Sequence, residues 1–527
     1  MNFNSCAGSK SPEHTDVIII GSGLAGGIIA YLLASKGYRV TALSNSDGIH
    51  DSNSYLAQGG IIYQGVKDSP DLLAYDIYRA GLHANNKEAV DLLTREGPRL
   101  VQQILIEKIG VPFDKTPDNE DFDYIEEGVH SVNRIIHCKD HTGKTIQQTL
   151  FDKLKKLENF QLLNNHTALE LLSSPKGDQS ICTGVLALNQ KKQTIIPFLA
   201  PHTVLATGGL GQIFKHTTNS KYDRGDGIAL ASRIGAHIRD LEYIQFHPTS
   251  YYYNANPRFL ISEALRGAGA KLINKRGERF MQKYHPDWEL APRDVVARAI
   301  HQEMTRHNTP SVYLDISFKD GSWITDRFPQ IFQYCLDTGI DIRKDYIPVV
   351  PAAHYSCGGV SVDTWGRTTI QNLWAAGEVA STGLHGANRL ASTSLLECVV
   401  WGYRCFQNIS SGTVRQSTIP PLHHSTCTGN TSQKEKIVES KNIDSYTRAL
   451  KEITWSSLGL IRTPKKIKDG MHKIDKLLYD VESLYRHTFP TDPLAGLYNS
   501  MYTARLVLQS ALQNRRSLGC HYIVDDE

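Results

Sequence analysis

Three glycines near the start of the chain have the spacing of a phosphate-binding turn. They lie in Gly21-Ser-Gly23-Leu-Ala-Gly26, directly after the β-branched run Val17–Ile20. In such a turn the first glycine permits a tight bend, the second lets the backbone approach a pyrophosphate, and the third lets a helix pack closely on the strand. The N-terminus of that helix faces the phosphates. The spacing predicts a dinucleotide site, and a glycine turn without a ligand stays open as the alternative.

The segments around this turn predict the strand–turn–helix unit that must hold it. The predicted elements are a buried parallel strand at Val17–Ile20, a helix at Ile28–Lys36 closed by Gly37 at the C′ position, and a second strand at Val40–Leu43. Ser44 and Asn45 follow the second strand, where an acidic residue usually holds the ribose. We therefore expect the ribose contact to be weaker here or to be made by other residues.

Two later segments also end a predicted strand in glycine. They are Thr203–Gly209, with the pair Gly208-Gly209, and Asn372–Glu378. A dehydrogenase that binds NAD needs no such later segments, whereas a flavoprotein covers its cofactor with distant loops. The pattern therefore predicts an α/β fold in which one nucleotide domain is interrupted by an insertion.

Composition narrows the class of protein. A chain of 527 residues is too long for one hydrophobic core, so several domains are expected. The net charge of +3 gives no support to a nucleic-acid partner. The nine cysteines form no CxxC pair, which favours a reducing compartment and argues against an iron–sulfur, zinc or other metal site. A polar N-terminus and the lack of a membrane-length apolar stretch predict a cytoplasmic enzyme with no membrane contact.

Seven ordered segments resemble a known family, the flavoprotein subunits of succinate dehydrogenase and fumarate reductase, and within it most closely the L-aspartate oxidases. The match runs from about Asp16 to about Gly402 and continues more weakly to the end. The family transfers a hydride between a C4 dicarboxylate and flavin N5. The resemblance implies a Rossmann-like FAD-binding domain, an inserted α+β capping domain and a C-terminal helical domain. The segments are Ser54–Gly60, Arg224–Ile228, Gln245–Thr249, Glu263–Gly267, Ala291–Val296, Ala353–Val360 and Gly383–Ser392.

The resemblance also implies which residues contact FAD. In the respiratory members of the family, a histidine just ahead of the Ala57–Gly60 segment bonds covalently to the flavin. Asn53 stands there in this chain. An amide has no imidazole nitrogen to attack the flavin methyl group, so we expect FAD to be held non-covalently. The implied contacts are Gly21, Ser22, Gly23, Leu24, Ala25, Gly26, Ser44, Asn45, Asn53, Ser54, Tyr55, Leu56, Ala57, Gln58, Gly59, Gly60, Thr207, Gly208, Gly209, Asp226, Glu378, Ser394 and Leu395.

Dicarboxylate chemistry needs donors for two carboxylates and a group that moves a proton next to the hydride. By resemblance, His247, His354 and Arg389 bind the carboxylates, and Ser262 adds a hydroxyl. Arg293 corresponds to the proton-transferring arginine, which needs burial and a relay because free arginine has a pKa above about 12. A structural alternative stays open for each of these residues. His247 and His354 are candidates for satisfied surface or core histidines, and Arg389 has a structural alternative similar to that of Arg293. Ser262 is a candidate helix N-cap, and Arg293 is a candidate partner for Asp294 at a helix N-terminus.

By resemblance, Glu127 distinguishes the L-aspartate oxidases from the other members of the family. It lies in the Tyr124–Ser131 segment, where the resemblance places a Glu-Gly-x-His-Ser run of aspartate oxidases. A fixed carboxylate attracts an α-ammonium group and repels a dicarboxylate that lacks one. The adjacent Glu126 is an alternative for this role, and an exposed loop acid is the structural alternative.

The reaction expected from these features is oxidation of L-aspartate to iminoaspartate by FAD, with O2 or fumarate as electron acceptor. In the family this reaction feeds quinolinate synthase on the route to NAD. A soluble fumarate reductase and a flavoprotein subunit of a membrane complex are the alternative enzymes. A non-enzymatic flavin-binding protein would lack Arg293 or His354, and both are present.

The predicted domains are residues 14–240 with 351–405 for FAD, 241–350 for the cap, a linker at 406–436 and a helical domain at 437–527. The site is expected between the first two, where closure excludes water. Within the cap, Pro248 is predicted to end a strand and Asp294–His307 to be helical. Asp444–Gln513 is predicted as helices. Near the C-terminus, Leu518 stands where the family pattern has arginine.

Overall fold

The fold is described from a computed structural model, which covers residues 12–526 except 119, 177–178 and 413–436. Of the predicted linker 406–436, residues 413–436 therefore lie outside the described residues. Residues 406–411, assigned to the linker, instead end the helix Thr393–Ser411. That part of the prediction is wrong, because the buried positions Cys405 and Ile409 continue the apolar face of this helix past residue 405.

A five-stranded parallel sheet, the nucleotide sheet, contains the glycine turn. The predicted strands Val17–Ile20 and Val40–Leu43 are confirmed with their bounds. Of the strands from the two later glycine segments, His202–Leu205 pairs with Val17–Ile20 and Leu373–Ala375 pairs with His202–Leu205. Both pairings are parallel, so all three glycine ends reach the same edge of the sheet. In spatial order the strands are Leu373–Ala375, His202–Leu205, Val17–Ile20, Val40–Leu43 and Phe160–Leu163.

The helix after the turn spans Leu24–Ser35 and therefore begins four residues before the predicted start at Ile28. Ala25, Gly26 and Gly27 are already helical and buried, which the apolar pattern did not indicate because these residues are small. Gly37 has a φ of +90° just beyond the end, which confirms its predicted C′ position. The helix packs against Thr142–Leu154 and Thr393–Ser411.

Three smaller sheets surround the nucleotide sheet. One four-stranded sheet has the order Glu13–His14, Thr194–Leu199, Gln179–Asn189 and His166–Lys176. The others pair Ile238–Arg239, Gly359–Ser361 and Ala380–Ser381, and Ile61–Ile62 with Ile135–Ile136. The remaining helices of this part are Asn53–Leu56, Pro70–Ala80, Lys87–Leu100 with its π-helical continuation Val101–Ile109, and Asp226–Arg233, with single turns at Ile49–Asp51 and Gly211–Ile213.

A second, antiparallel sheet is inserted between these elements and has its own apolar core. Its strands are, in order, Ile244–Tyr251, Ile347–Ser356, Val312–Asp315 and Lys271–Ile273. Pro248 does not end the first strand as predicted. It lies at a shift of register, where a residue without an N–H is tolerated. The accompanying helices are Glu263–Gly267, Arg293–Arg306, Gly321–Arg327 and Pro329–Asp337, with single turns at Met281–Lys283 and Trp288–Leu290.

Three long helices follow, at Ser440–Leu458, Pro464–His487 and Asp492–Gln513, which confirms the helical prediction for this region. Their apolar residues join the main core rather than forming a separate one. The last helix packs on Asp226–Arg233. Among the described helices, none is long and apolar enough to cross a membrane.

Candidate active site

A cavity of about 400 Å³ lies where the glycine edge of the nucleotide sheet meets the inserted sheet. Its outer end is lined by the glycine turn and its inner end by charged side chains. All six residues that the sequence assigned to substrate and proton transfer line the inner end, namely Glu127, His247, Ser262, Arg293, His354 and Arg389. The structure therefore brings together residues that are up to 262 positions apart.

Arg293 is the first residue of its helix, and its guanidinium is part of a buried row of alternating charges. Its Nε donates to Glu263 Oε2 at 2.5 Å, and Arg266 pairs with the same oxygen at 3.2 Å. Burial would raise the pKa of Glu263, but the charges of Arg266 and Arg293 outweigh burial and lower that pKa to about 2. Glu263 is therefore ionised, and Arg293–Glu263–Arg266 is a candidate for the relay that the sequence required but did not locate.

Glu127 lies close to this row and has the opposite electrostatic balance. Its side chain is buried and accepts a hydrogen bond from Ser392 Oγ at 2.5 Å. Burial, together with the negative charge of Glu263, raises the pKa of Glu127 to about 7. Two neighbouring carboxyl groups thus have widely separated pKa values, which is typical of sites that move protons. The exposed-loop alternative for Glu127 is wrong, because the side chain lines the buried end of the cavity.

His247 and His354 face each other with ring centroids 5.0 Å apart. His247 Nδ1 accepts from the backbone N–H of Thr249 at 3.2 Å, which leaves the proton on Nε2. Burial and the nearby arginine charges hold the pKa of both histidines well below the usual value. Both rings are therefore neutral, so they can offer a ligand hydrogen bonds but no positive charge.

Arg389 stacks on the ring of Tyr355, with its guanidinium carbon 4.3 Å from the ring centroid. Its Nη1 donates to Ser394 Oγ at 3.1 Å, and its buried Nε has no hydrogen-bond partner among the described residues. Ser262 Oγ accepts from the backbone N–H of Ala264, which confirms the N-cap alternative. The same hydroxyl borders the cavity and keeps its own proton to donate.

The outer end of the cavity is shaped by the glycine turn. Gly21 has a φ of +113°, and a Cβ there would lie 2.1 Å from the carbonyl oxygen of Ala206. Gly26 does not line the cavity but packs helix on strand, since a Cβ there would lie 2.5 Å from the Gly21 carbonyl oxygen. The turn therefore approaches the neighbouring strand so closely that side chains are excluded, and the helix N-terminus at Leu24 borders the cavity.

Hydroxyl groups lie after the strand Val40–Leu43, where an acidic residue usually holds the ribose and this chain has none. Ser44 Oγ lies 3.1 Å from Ser22 Oγ and 3.0 Å from Ser46 Oγ. These three serines and Asn45 line the outer end. The arrangement offers neutral donors and acceptors in place of one carboxylate, and the sequence did not indicate Ser46. That the ribose contact is weaker or made by other residues stays a prediction.

Asn53 lies between two buried acids at the centre of the cavity wall. Its Oδ1 accepts from the backbone N–H of Ser220 at 2.8 Å, and its Nδ2 lies 3.5 Å from Glu378 Oε2. Asp223, the second acid, accepts from the backbone N–H of Gly209 at 2.7 Å. Burial raises the pKa of Asp223 to about 6 and that of Glu378 well above its usual value.

The assignment of Asp226 to the cofactor needs correction. Its carboxylate does not line the cavity and instead binds Arg224 at 3.0 Å, which also binds Asp492 at 3.0 Å. Asp223, three residues earlier, borders the cavity. Tyr55 and Gly209 also lie outside it, while the other predicted cofactor residues apart from Gly26 line it. Arg224 holds Asp226 away because it needs two carboxylates to balance its buried charge.

Comparison with known proteins identifies the family of this chain. Residues 16–395 match the family model described as an FAD binding domain. The L-aspartate oxidase of Pseudomonas aeruginosa is 40% identical over 98% of this chain and 96% of its own length. The chain belongs to the L-aspartate oxidase family. L-aspartate oxidase 1 of Ralstonia nicotianae is also 40% identical, over 97% of this chain and 95% of its own. The flavoprotein of an E. coli quinol fumarate reductase variant superposes with a TM-score of 0.88 at 27% identity, covering 98% of this chain and 92% of that one.

Membership of the L-aspartate oxidase family makes FAD the cofactor, and the outer cavity suits it. Gln58 Oε1 and Thr207 Oγ1 are buried and have no hydrogen-bond partner among the described residues, although both residues line the cavity. A buried polar atom without a partner costs free energy, so these atoms fit a polar ligand that reaches the wall. The glycine turn and helix N-terminus fit its pyrophosphate.

Several lining residues were missed by sequence reasoning. Asp223 and Ser392 lie within or next to quoted motifs, so motif position was a signal for them. Arg266 does not line the cavity, but its pairing with Glu263 was within reach, because the two are spaced three apart on one helix. The cap residues Arg258 and Tyr334 gave no signal, since they reach the cavity only through the fold.

Proposed function

We propose that this chain oxidises L-aspartate to iminoaspartate, with FAD as hydride acceptor and O2 or fumarate taking the electrons from the flavin. The observation that carries the proposal is the position of Glu127, whose buried carboxyl group shares one cavity end with the donors for two carboxylates. A succinate oxidase has no use for a buried acid there, because burying a carboxylate is costly and succinate has no ammonium group to offset the cost.

Different residues of the inner end bind the two carboxylates and the α-ammonium group of the substrate. We assign Arg389 and His354 to one carboxylate, and His247 and Ser262 to the other, because all four line the same end of the cavity. Because both histidines are neutral, Arg389 and Arg293 supply the positive charge of the inner end, and charged hydrogen bonds from arginine are the stronger ones. Glu127 in its ionised form accepts hydrogen bonds from the α-ammonium group.

Oxidation removes a hydride and a proton from the substrate. FAD, when bound, supplies the hydride acceptor. Arg293 first passes its own Nε proton to the ionised Glu263, which Arg266 also binds, and the neutral guanidine then takes the proton of the substrate. Burial of this row keeps water away from the reacting carbon and strengthens each electrostatic contact.

We further propose that the FAD is non-covalent, because Asn53 offers an amide where the attachment needs an imidazole. The product, an unstable imine, would be consumed by a second enzyme such as quinolinate synthase, and a cytoplasmic location would suit that coupling. Acid precipitation of the purified yellow protein tests the cofactor claim. We expect the flavin colour in the supernatant, and colour that stays with the precipitate would contradict it.

The reaction is tested with oxygen present. L-Aspartate should be consumed with one hydrogen peroxide formed per aspartate, and the imine should hydrolyse to oxaloacetate and ammonia. Succinate at the same concentration should give little peroxide. Peroxide formation from succinate that equals or exceeds that from L-aspartate would favour a succinate or fumarate enzyme instead.

A further inference from the structure

Asn388 lies beside Arg389 in the chain, but its side chain does not line the cavity and is almost fully buried. Its Oδ1 accepts from Gln245 Nε2 at 2.8 Å and from the thiol of Cys520 at 3.2 Å. Its Nδ2 donates to Asp294 Oδ1 at 3.0 Å. One small amide therefore joins the inserted sheet, the helix of Arg293 and the C-terminal turn.

Two of these partners lead directly to the substrate-facing arginines. Gln245 Oε1 accepts from Arg293 Nη1 at 3.0 Å, and its Nε2 also donates to the carbonyl oxygen of Arg389 at 2.8 Å. Asp294 follows Arg293 on the same helix, and its second oxygen binds Arg298 at 2.7 Å. Movement of Asn388 would therefore change the positions of both arginines.

The third partner belongs to the C-terminal turn, which the sequence singled out at Leu518 and which the proposed reaction does not otherwise use. The carbonyl oxygen of Gly519 accepts from Arg298 Nη1 at 3.0 Å, and the N–H of Cys520 donates to the carbonyl oxygen of Ala387 at 2.9 Å. The turn thus binds the helix of Arg293 on one side and the loop of Arg389 on the other.

We propose that Asn388 is a positioning residue that fixes Arg389 and Arg293 relative to each other, and that the turn around Cys520 is part of the same device. Two buried cations repel each other, so they need restraint from outside the cavity to converge on one substrate. This inference rests on the proposed function, in which both arginines act on the same dicarboxylate.

The test is Asn388→Asp, which keeps the shape but replaces the Nδ2 donor by an oxygen facing Asp294. The charged and titratable groups around this position are Asp294 and Arg298 of the helix, Arg293 beyond Gln245, the adjacent Arg389, and the thiols of Cys520 and Cys357. Two carboxylates at this distance repel and share a proton. When protonated, the introduced acid donates to Asp294 and restores the contact.

We expect kcat/KM per bound flavin to fall about 10- to 100-fold at alkaline pH, the loss that a small misplacement of substrate-binding groups causes. The loss should shrink as the pH falls. The matched control is Asn274→Asp, a buried amide of the cap whose Nδ2 donates to Glu303 at 3.0 Å without a connection to the cavity. It should lose thermal stability but keep wild-type kcat/KM per flavin at every pH.

Wild-type kcat/KM in Asn388→Asp at alkaline pH, or an equal loss at every pH, would overturn the inference. If that variant does not fold, Cys520→Val and Cys520→Ser decide. Loss of the thiol donor in Cys520→Val should lower kcat/KM about fivefold, the factor that one hydrogen bond is worth, whereas Cys520→Ser keeps a donor and should stay near wild type. Equal values for the two variants would contradict the inference.

The assays use L-aspartate first, with succinate and fumarate in parallel on wild type and variants. If wild type turns over succinate or fumarate but not L-aspartate, the proposed function fails. The comparison of Asn388→Asp with Asn274→Asp then proceeds on the active substrate and still decides the inference.

Discussion

Replacing Glu127 by glutamine removes one negative charge from the inner end of the cavity while keeping the shape of the side chain. The amide oxygen can still accept from Ser392 Oγ, which lies 2.5 Å from the carboxylate in the structure. The two arginines nearby keep their charges, so the sites for the two carboxylates should persist. The change therefore isolates the contact with the α-ammonium group.

The expected magnitude follows from the burial of Glu127. A hydrogen bond between charged groups contributes about 1.5–3 kcal/mol, and 1.4 kcal/mol is a factor of about ten. For L-aspartate, kcat/KM should therefore fall about 10- to 150-fold in Glu127→Gln. For succinate, which has no ammonium group, the repulsion by Glu127 disappears and kcat/KM should stay constant or rise.

The pH dependence gives an independent signature. With a pKa of about 7, Glu127 is neutral below that pH and ionised above it. In the wild type, KM for L-aspartate should therefore fall as the pH rises through 7, and Glu127→Gln should lose this dependence. Flavin reduction in an anaerobic stopped-flow instrument measures both effects. An equal fractional loss for L-aspartate and succinate would refute the assignment of Glu127 to the ammonium group.

Three further substitutions test whether Arg293, Glu263 and Asp226 act in the reaction or stabilise the fold. Arg293→Lys should lower the rate of flavin reduction about 100- to 10⁴-fold, the range of general acid–base catalysis, while flavin content stays normal; a rate within threefold of wild type would contradict its role. Glu263→Gln leaves Arg266 without its buried counter-charge, so urea denaturation should show a loss of about 3–5 kcal/mol, and unchanged stability would count against the charge row. Asp226→Asn should lower the melting temperature but keep the flavin-to-protein ratio, whereas flavin loss without destabilisation would restore Asp226 to the cofactor site.

The nucleotide sheet was predictable because its signals are local. Four consecutive β-branched or apolar residues at Val17–Ile20 predict a buried strand, and the glycine spacing places a turn directly after it. The start of the next helix was misplaced because Gly26 and Gly27 have no side chain to add to an apolar pattern. Pro248 was misjudged for a related reason: local rules end a strand at proline, but a shift of register accommodates it.

The candidate site was predictable in its members but not in its connections. The resemblance led to all six residues of the inner end, because each lies inside an extended motif. It did not show that Asp223 borders the cavity and that Asp226 does not. Arg224 binds Asp226 together with Asp492, which is distant in the sequence, so this contact could be seen only in the fold. The pKa of Glu127 was equally hidden, because it depends on burial and on Glu263, which lies 136 positions later.

We have proposed that this cavity selects an amino dicarboxylate for hydride transfer to FAD. The most direct measurement is the rate of flavin bleaching without oxygen, on mixing the purified holoenzyme with L-aspartate or with succinate at equal concentration. We expect rapid bleaching by L-aspartate and slow or no bleaching by succinate. Bleaching by succinate as fast as by L-aspartate, or no bleaching by L-aspartate, would contradict it.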